Sequence, residues 1–138
     1  MEIKKYKKYH KKKKIFKLEK SSLVTPNQGL YGLKSLSCGF ITPQQLESSR
    51  RIISRITKRS GKLFLKIKFE QALTKKPLLS RMGKGCGSFF MFISYLKKGK
   101  LILELSGVSK QLAIIALDAV CKRLSTPFEI VEREVVDV

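Results

Sequence analysis

Thr42-Pro43-Gln44-Gln45-Leu46 opens a stretch that closes, past Gly61, with Lys62-Leu63-Phe64-Leu65-Lys66-Ile67-Lys68-Phe69, and its hydrophobic period changes on the way. The first part is a helix start. Thr42 is the cap, Pro43 sits in the first turn, and Gln45, three after the cap, can reach back to it. The helix is expected to run to about Lys58, with Leu46, Ile53 and Ile56 at core spacing and Gly61 as the stop. The second part alternates. Leu63, Leu65, Ile67 and Phe69 point one way and Lys62, Phe64, Lys66 and Lys68 the other, so a strand with a lysine-rich outer face is expected.

Outward from this pair, Ser88 to Leu96 is almost continuously apolar and suits a buried strand. Lys97-Lys98-Gly99 should turn it into Lys100 to Leu105 as a hairpin. Ser109 begins a second helix to about Arg123, with Leu112, Ile115, Ala116, Ala119 and Val120 on its core side, widened by Ile114 and Leu117. A last strand spans Phe128 to Val131. The fold class is α+β: two helices packed on an antiparallel or mixed β-sheet. Residues 1–28 are expected to form a basic, disordered arm, 29–131 the folded domain and 132–138 a short acidic tail.

The charge is lopsided. Thirty Lys and Arg against ten acids give +20 and a pI near 10.2 over 138 residues. Such a chain repels itself unless an anionic partner is present, yet 43% hydrophobic residues provide for a real core. No apolar run approaches the ~20 residues that span a bilayer. Three cysteines, Cys38, Cys86 and Cys121, are odd in number and widely spaced. With His10 in a lysine run, they offer no zinc ligand set, and unpaired thiols in a reducing compartment are expected. No cofactor and no metal are implied.

Three regions carry the polyanion chemistry. Residues 1 to 20 hold ten lysines and two glutamates. Lys11, Lys12, Lys13 and Lys14 lie there among Tyr6, Tyr9, Ile15 and Phe16, which suits an RNA-penetrating arm. A solvated tail or a transit peptide is the alternative, although the segment has no Arg and no Ser. On the first helix Arg50, Arg51, Arg55, Lys58 and Arg59 oppose the core, with Arg51, Arg55 and Arg59 every four residues as one stripe; Lys62 follows on the strand. Between Glu70 and Glu104 there is no carboxylate at all. In that gap lie Lys75, Lys76, Arg81, Gly83, Lys84 and Gly85: glycines allow close backbone approach, and the cations suit phosphate.

Catalysis finds no constellation. Acids are scattered, and no serine or cysteine has a local base. Gly83-Lys84-Gly85-Cys86-Gly87-Ser88 lacks the spacing of a phosphate loop and precedes a strand, not a helix. The chain is not expected to be an enzyme.

Several segments in order resemble the bacterial-type large-subunit ribosomal protein sixteen family, related to the archaeal and eukaryotic protein ten-e. Gly32-Leu33-Lys34 matches its glycine-leucine-lysine element, which brings in Lys34. Ile41-Thr42-Pro43-Gln44-Gln45-Leu46-Glu47-Ser48-Ser49-Arg50-Arg51 resembles its first helix, and Gly61-Lys62-Leu63-Phe64-Leu65 the strand after it. Thr74-Lys75-Lys76-Pro77, Arg81-Met82-Gly83-Lys84-Gly85, Glu104-Leu105-Ser106-Gly107-Val108 and Lys122-Arg123-Leu124 follow at the family spacing. Cys86 stands where the family usually has lysine. The resemblance covers roughly residues 29 to 128.

It implies a structural constituent of the large ribosomal subunit, monomeric within the ribosome. Such a protein binds large-subunit rRNA near the aminoacyl-tRNA site, joins late in assembly, touches neighbouring large-subunit proteins and helps to position aminoacyl-site tRNA. Lysine outnumbers arginine 23 to 7, which points to an A+T-rich genome. A mitochondrial ribosome and synthesis within the organelle are expected, since the basic arm begins at once; a plastid or the bacterial cytoplasm is the alternative. The runner-up function is a general organellar nucleic-acid-binding or packaging protein. A membrane-surface protein is disfavoured, because neither helix joins a basic face to a broad exposed apolar one.

Overall fold

The computed structural model describes residues 8–9 and 25–133. Within these described residues, eight strands and two helices follow in the order β1 (Lys8–Tyr9), β2 (Tyr31–Ser35), β3 (Gly39–Ile41), α1 (Pro43–Ile56), β4 (Lys62–Leu65), β5 (Gln71–Lys75), β6 (Ser88–Leu96), β7 (Leu101–Ser106), α2 (Lys110–Cys121) and β8 (Phe128–Glu132). They build two four-stranded sheets, ordered β1-β5-β6-β3 and β4-β7-β2-β8. The second is antiparallel throughout, whereas in the first β1 runs parallel to β5. The α+β class is as expected, but the sheet is two sheets. The arm, expected to be disordered, contributes Lys8 and Tyr9 as partners of Ala72 and Leu73; Lys11 to Lys14 lie outside the described residues.

Helix α1 starts as its cap chemistry dictates. The Gln45 amide N–H donates to Thr42 Oγ1 at 3.3 Å, and the Thr42 N–H donates to Gln45 Oε1 at 3.0 Å. Its end differs from expectation. Lys58 and Arg59 have φ of 50° and 64°, with Arg59 N–H donating to the Ser54 carbonyl at 3.0 Å and Lys58 N–H to that of Arg55 at 3.3 Å. This bond pair is a Schellman stop in which a lysine holds the left-handed position usually given to glycine. Gly61 serves a later purpose. At φ 79° it turns the chain against β7, where a Cβ would lie 2.4 Å from Val108 Cγ2.

The expected hairpin between residues 88–96 and 100–105 does not form. Both edges of β6 are taken, by β5 and by β3. The turn therefore delivers the chain to the other sheet: Gly99 N–H donates to the Ser35 carbonyl at 2.7 Å, and Ser35 N–H to that of Lys100 at 3.0 Å. The expected strand over 62–69 shortens to β4, with one more bond from Lys66 N–H to the Ile102 carbonyl. Leu65, assigned to its core face, is 43% exposed.

The core joins the two sheets and both helices through Leu33, Ile41, Ile53, Leu96, Leu103 and Leu117. On α2 the buried residues are Ala113, Ala116, Leu117 and Val120. Ile115, expected among them, is 58% exposed. The buried stripe centres on the small residues, which let α2 pack closely, and this rotates both isoleucines outward.

β7 is one of the two inner strands of its sheet and buries a carboxylate. Glu104 is 2% exposed. Its Oε2 accepts from the backbone N–H of Gln28 at 2.7 Å and of Gly29 at 2.9 Å, and Lys66 Nζ stands 3.5 Å from Oε1. Burial pushes this carboxyl up, but the amides of Gly29, Gln28 and Asn27, and then the Lys66 charge, outweigh it and hold the group below the usual range. Gly29 fits here because a Cβ would lie 2.8 Å from the Leu105 backbone. The segment leading into β2 is thus tied down, and Arg133 closes it from the other side by donating to the Asn27 carbonyl at 3.0 Å.

Candidate nucleic-acid interface

Strands β5 and β6 pair from Gln71↔Ile93 to Lys75↔Ser88, so residues 76 to 87 form a loop at the end of an antiparallel hairpin. Residues 75 to 86 are all exposed, and Leu78, Leu79 and Met82 touch almost nothing at 96%, 98% and 103% exposure. Short-range bonds shape the first part of the loop. Ser80 N–H and Oγ both donate to the Pro77 carbonyl, at 3.2 and 2.9 Å, and Lys76 Nζ donates to the Gly83 carbonyl. Lys75 ends β5, and Lys76, Arg81 and Lys84 follow on the loop.

The glycines divide by role. A Cβ on Gly87 would lie 2.3 Å from the Lys75 carbonyl oxygen, so this glycine closes the base of the hairpin; a Cβ on Gly83 or Gly85 would meet nothing within 4 Å. Gly87→Ala is expected to destabilise the domain by about 1–3 kcal/mol through forced strand displacement. Gly83→Ala should leave stability within about 0.5 kcal/mol of wild type. Urea titrations of both variants decide it; equal destabilisation would mean that Gly83 also serves the fold.

The second cationic surface is the outer face of α1. Arg50, Arg51 and Arg55 are exposed there, but not as an uninterrupted positive stripe. Glu47 accepts two bonds from Arg50, at 2.9 and 2.7 Å, and one from Arg51 Nε at 3.1 Å. The bonds from Arg50 and then Arg51 lower its pKa to about 2, so Glu47 stays ionised and offsets part of this charge. Arg55 forms no ion pair among the described residues. Past the helix, the left-handed turn carries Arg59 off the helical stripe. Arg50 and Arg59 instead line a groove with Ser54, Thr57, Ser60 and Leu63 between α1 and β4. Lys58 and Lys62 are exposed.

Two lysines are paired within the fold, one of them, Lys66, read from the sequence as outward. Lys34 pairs with Glu129, its neighbour in the β2–β8 register, at 2.9 Å. Lys66 turns to Glu104 and to Gln28 Oε1 at 2.7 Å. Neither partner is local in sequence, and neither pairing carries a local signal. The alternation of Lys62 to Phe69 indicated the outward side of a strand that ends at Leu65.

The class is thus a small α+β body with an exposed cationic loop and an arginine-bearing helix. The family model for ribosomal protein L16p/L10e matches residues 1–131, and the chain belongs to that family. It is accordingly a structural ribosomal protein, not an enzyme. Similar proteins include the large ribosomal subunit protein uL16 of Buchnera aphidicola, 43% identical over 70% of this chain and 71% of the relative. That of Thermosipho melanesiensis is 39% identical over 94% and 89%, and that of Psychrobacter arcticus 37% over 95% and 94%.

Proposed function

We propose that this chain is a structural constituent of the large ribosomal subunit that binds large-subunit rRNA near the aminoacyl-tRNA site. It supports late subunit assembly and the positioning of aminoacyl-site tRNA, as a monomer among neighbouring large-subunit proteins. The observation that supports this is the exposed β5–β6 loop, where Lys75, Lys76, Arg81 and Lys84 lie beside two glycines with open space around them. Residues 1–28 act as a basic RNA-binding arm, with Lys11 to Lys14 on phosphates, and 29–131 as the body that holds them. Arg50, Arg51, Arg55, Lys58, Arg59 and Lys62 form the second contact, and phosphate neutralisation sets the position on RNA. Lys34, held by Glu129, contributes least.

The relatives named above are bacterial, which fits a bacterial cytoplasm as the place of that ribosome. The mitochondrial location expected from the sequence has no support in these relatives. No described helix is long and apolar enough to cross a membrane.

The test is a high-salt sucrose gradient of ribosomes from cells expressing the tagged chain, with an Arg81→Ala version beside it. Wild type should travel with the large subunit. Arg81→Ala should travel with it too, since Arg81 is exposed, yet those subunits should bind aminoacyl-site tRNA less well, because alanine cannot hold a phosphate bidentately. Wild type spread over nucleic acid of every kind would favour a general packaging protein. Full tRNA binding at full occupancy would remove Arg81 from the site.

A further inference from the structure

Strand β6 starts outside the core. Phe89 and Phe90 are 41% and 50% exposed, whereas Ile93 and Leu96 on the same strand are fully buried. Two benzyl groups thus meet solvent where the strand leaves the cationic loop. Lys75 Nζ stands 5.2 Å from the Phe90 ring centroid. The Phe89 and Phe92 rings lie 4.9 Å apart, tilted by 54°. The pairing of Lys75 with Ser88, closed by Gly87, puts these rings on a paired strand and not on the loop itself.

We propose that Phe90 is a stacking platform for an unpaired base of RNA, and that Lys75, on the same face, holds the phosphate next to the stacked base. This rests on the large-subunit reading for the polyanion and adds that bases, not phosphates alone, are bound. Charge decides between RNA and a protein as the occupant. No acid lies between Glu70 and Glu104, so a protein partner would have to bring an apolar patch and several carboxylates together. A nucleotide carries a flat ring and an anion in one unit, and aromatic side chains interleaved with cations are how single strands are held. Paired helices keep their ring faces stacked inside, so the platform selects loops, bulges and ends.

The test uses the full chain, a uridine oligomer of about ten nucleotides, and inorganic polyphosphate of matched charge as the probe without bases. Phe90→Leu should weaken oligouridylate binding about 5-fold or more, the loss of one stacked base. Polyphosphate affinity and the slope of log affinity against log salt should stay as in wild type. Phe90→Tyr, which keeps the ring, should restore binding. Equal weakening on both probes, or none on the oligomer, overturns the proposal. Since Phe90 is half exposed, melting temperature serves as the control. If Phe90→Leu unfolds, the Phe90→Tyr and Lys75→Met pair decides it: the first should bind as wild type, and the second should lose affinity for both probes. The large-subunit reading fails separately, through a wild-type chain that does not travel with the subunit in the gradient.

Discussion

Glu104→Ala is expected to lower the stability of the domain by about 3 kcal/mol, the loss of charge-assisted hydrogen bonds that leaves buried donors unpaired. For a folded body of this size that is a fall of about 12 °C in melting temperature. The substitution strands the N–H groups of Gln28 and Gly29 and removes the carboxylate facing Lys66. Glu104→Gln should cost less, since its carbonyl can still accept from the amides while its NH2 meets the Lys66 ammonium. The difference between wild type and this variant should depend on pH. The folded pKa of Glu104 lies below the ordinary value of 4.5, so the unfolded chain takes up the proton first. The contribution is complete above that value and is lost as pH falls through it toward the folded pKa. Glu47, also depressed, gives acid sensitivity of its own, but both proteins share it and it cancels in the difference. A pH-independent gap between wild type and Glu104→Gln would mean that the carboxylate acts by shape alone. The consequence for function is positional: Glu104 ties residues 27 to 29, and so the point where the basic arm meets the body.

The largest effect on binding should come from Arg51→Glu with Arg55→Glu. Each reversal turns an attraction to phosphate into a repulsion, and the slope of log affinity for rRNA against log salt should shrink by up to about 2 units. Circular dichroism should be unchanged, because both side chains are exposed and the buried face of α1 is Leu46, Ser49 and Ile53. The single variants should separate. Arg55→Ala should remove about one unit of slope, whereas Arg51→Ala should remove less, since Glu47 already accepts a bond from Arg51 at 3.1 Å. Equal single effects would show that Glu47 releases Arg51 on RNA. An unchanged slope in the double variant would leave this face merely solvated.

Much of this protein was legible because its signals are local. The cap of α1 needs only Thr42, Pro43 and Gln45, three residues apart at most, and it formed as the spacing dictated. The cationic loop was legible for the same reason: a run without carboxylates cannot be neutralised from within, so its exposure follows from composition. The ordered motifs are likewise local, and they carry the resemblance to the family.

Other features depended on partners far along the chain. Whether residues 100 to 105 would fold back on β6 was settled by β3 and β5, which occupy both of its edges. Strands β2 and β5 have no alternation of their own and exist as pairings with β7 and β6. Ile115 looked like core because periodicity gives a face and not its centre; the close packing of Ala113 and Ala116 rotated it outward. Lys34, Lys66 and Glu104 show the same limit for charge. Their sign is legible in the sequence, but only the meeting of β2 with β8, and of β7 with residues 27 to 29, decided which charges are used up inside the fold and which remain exposed. Local chemistry determined the class, the cap, the loop and the family. Sheet partnership and the burial of single charges belong to the tertiary structure, because both are set by contacts whose residues are neighbours in space alone.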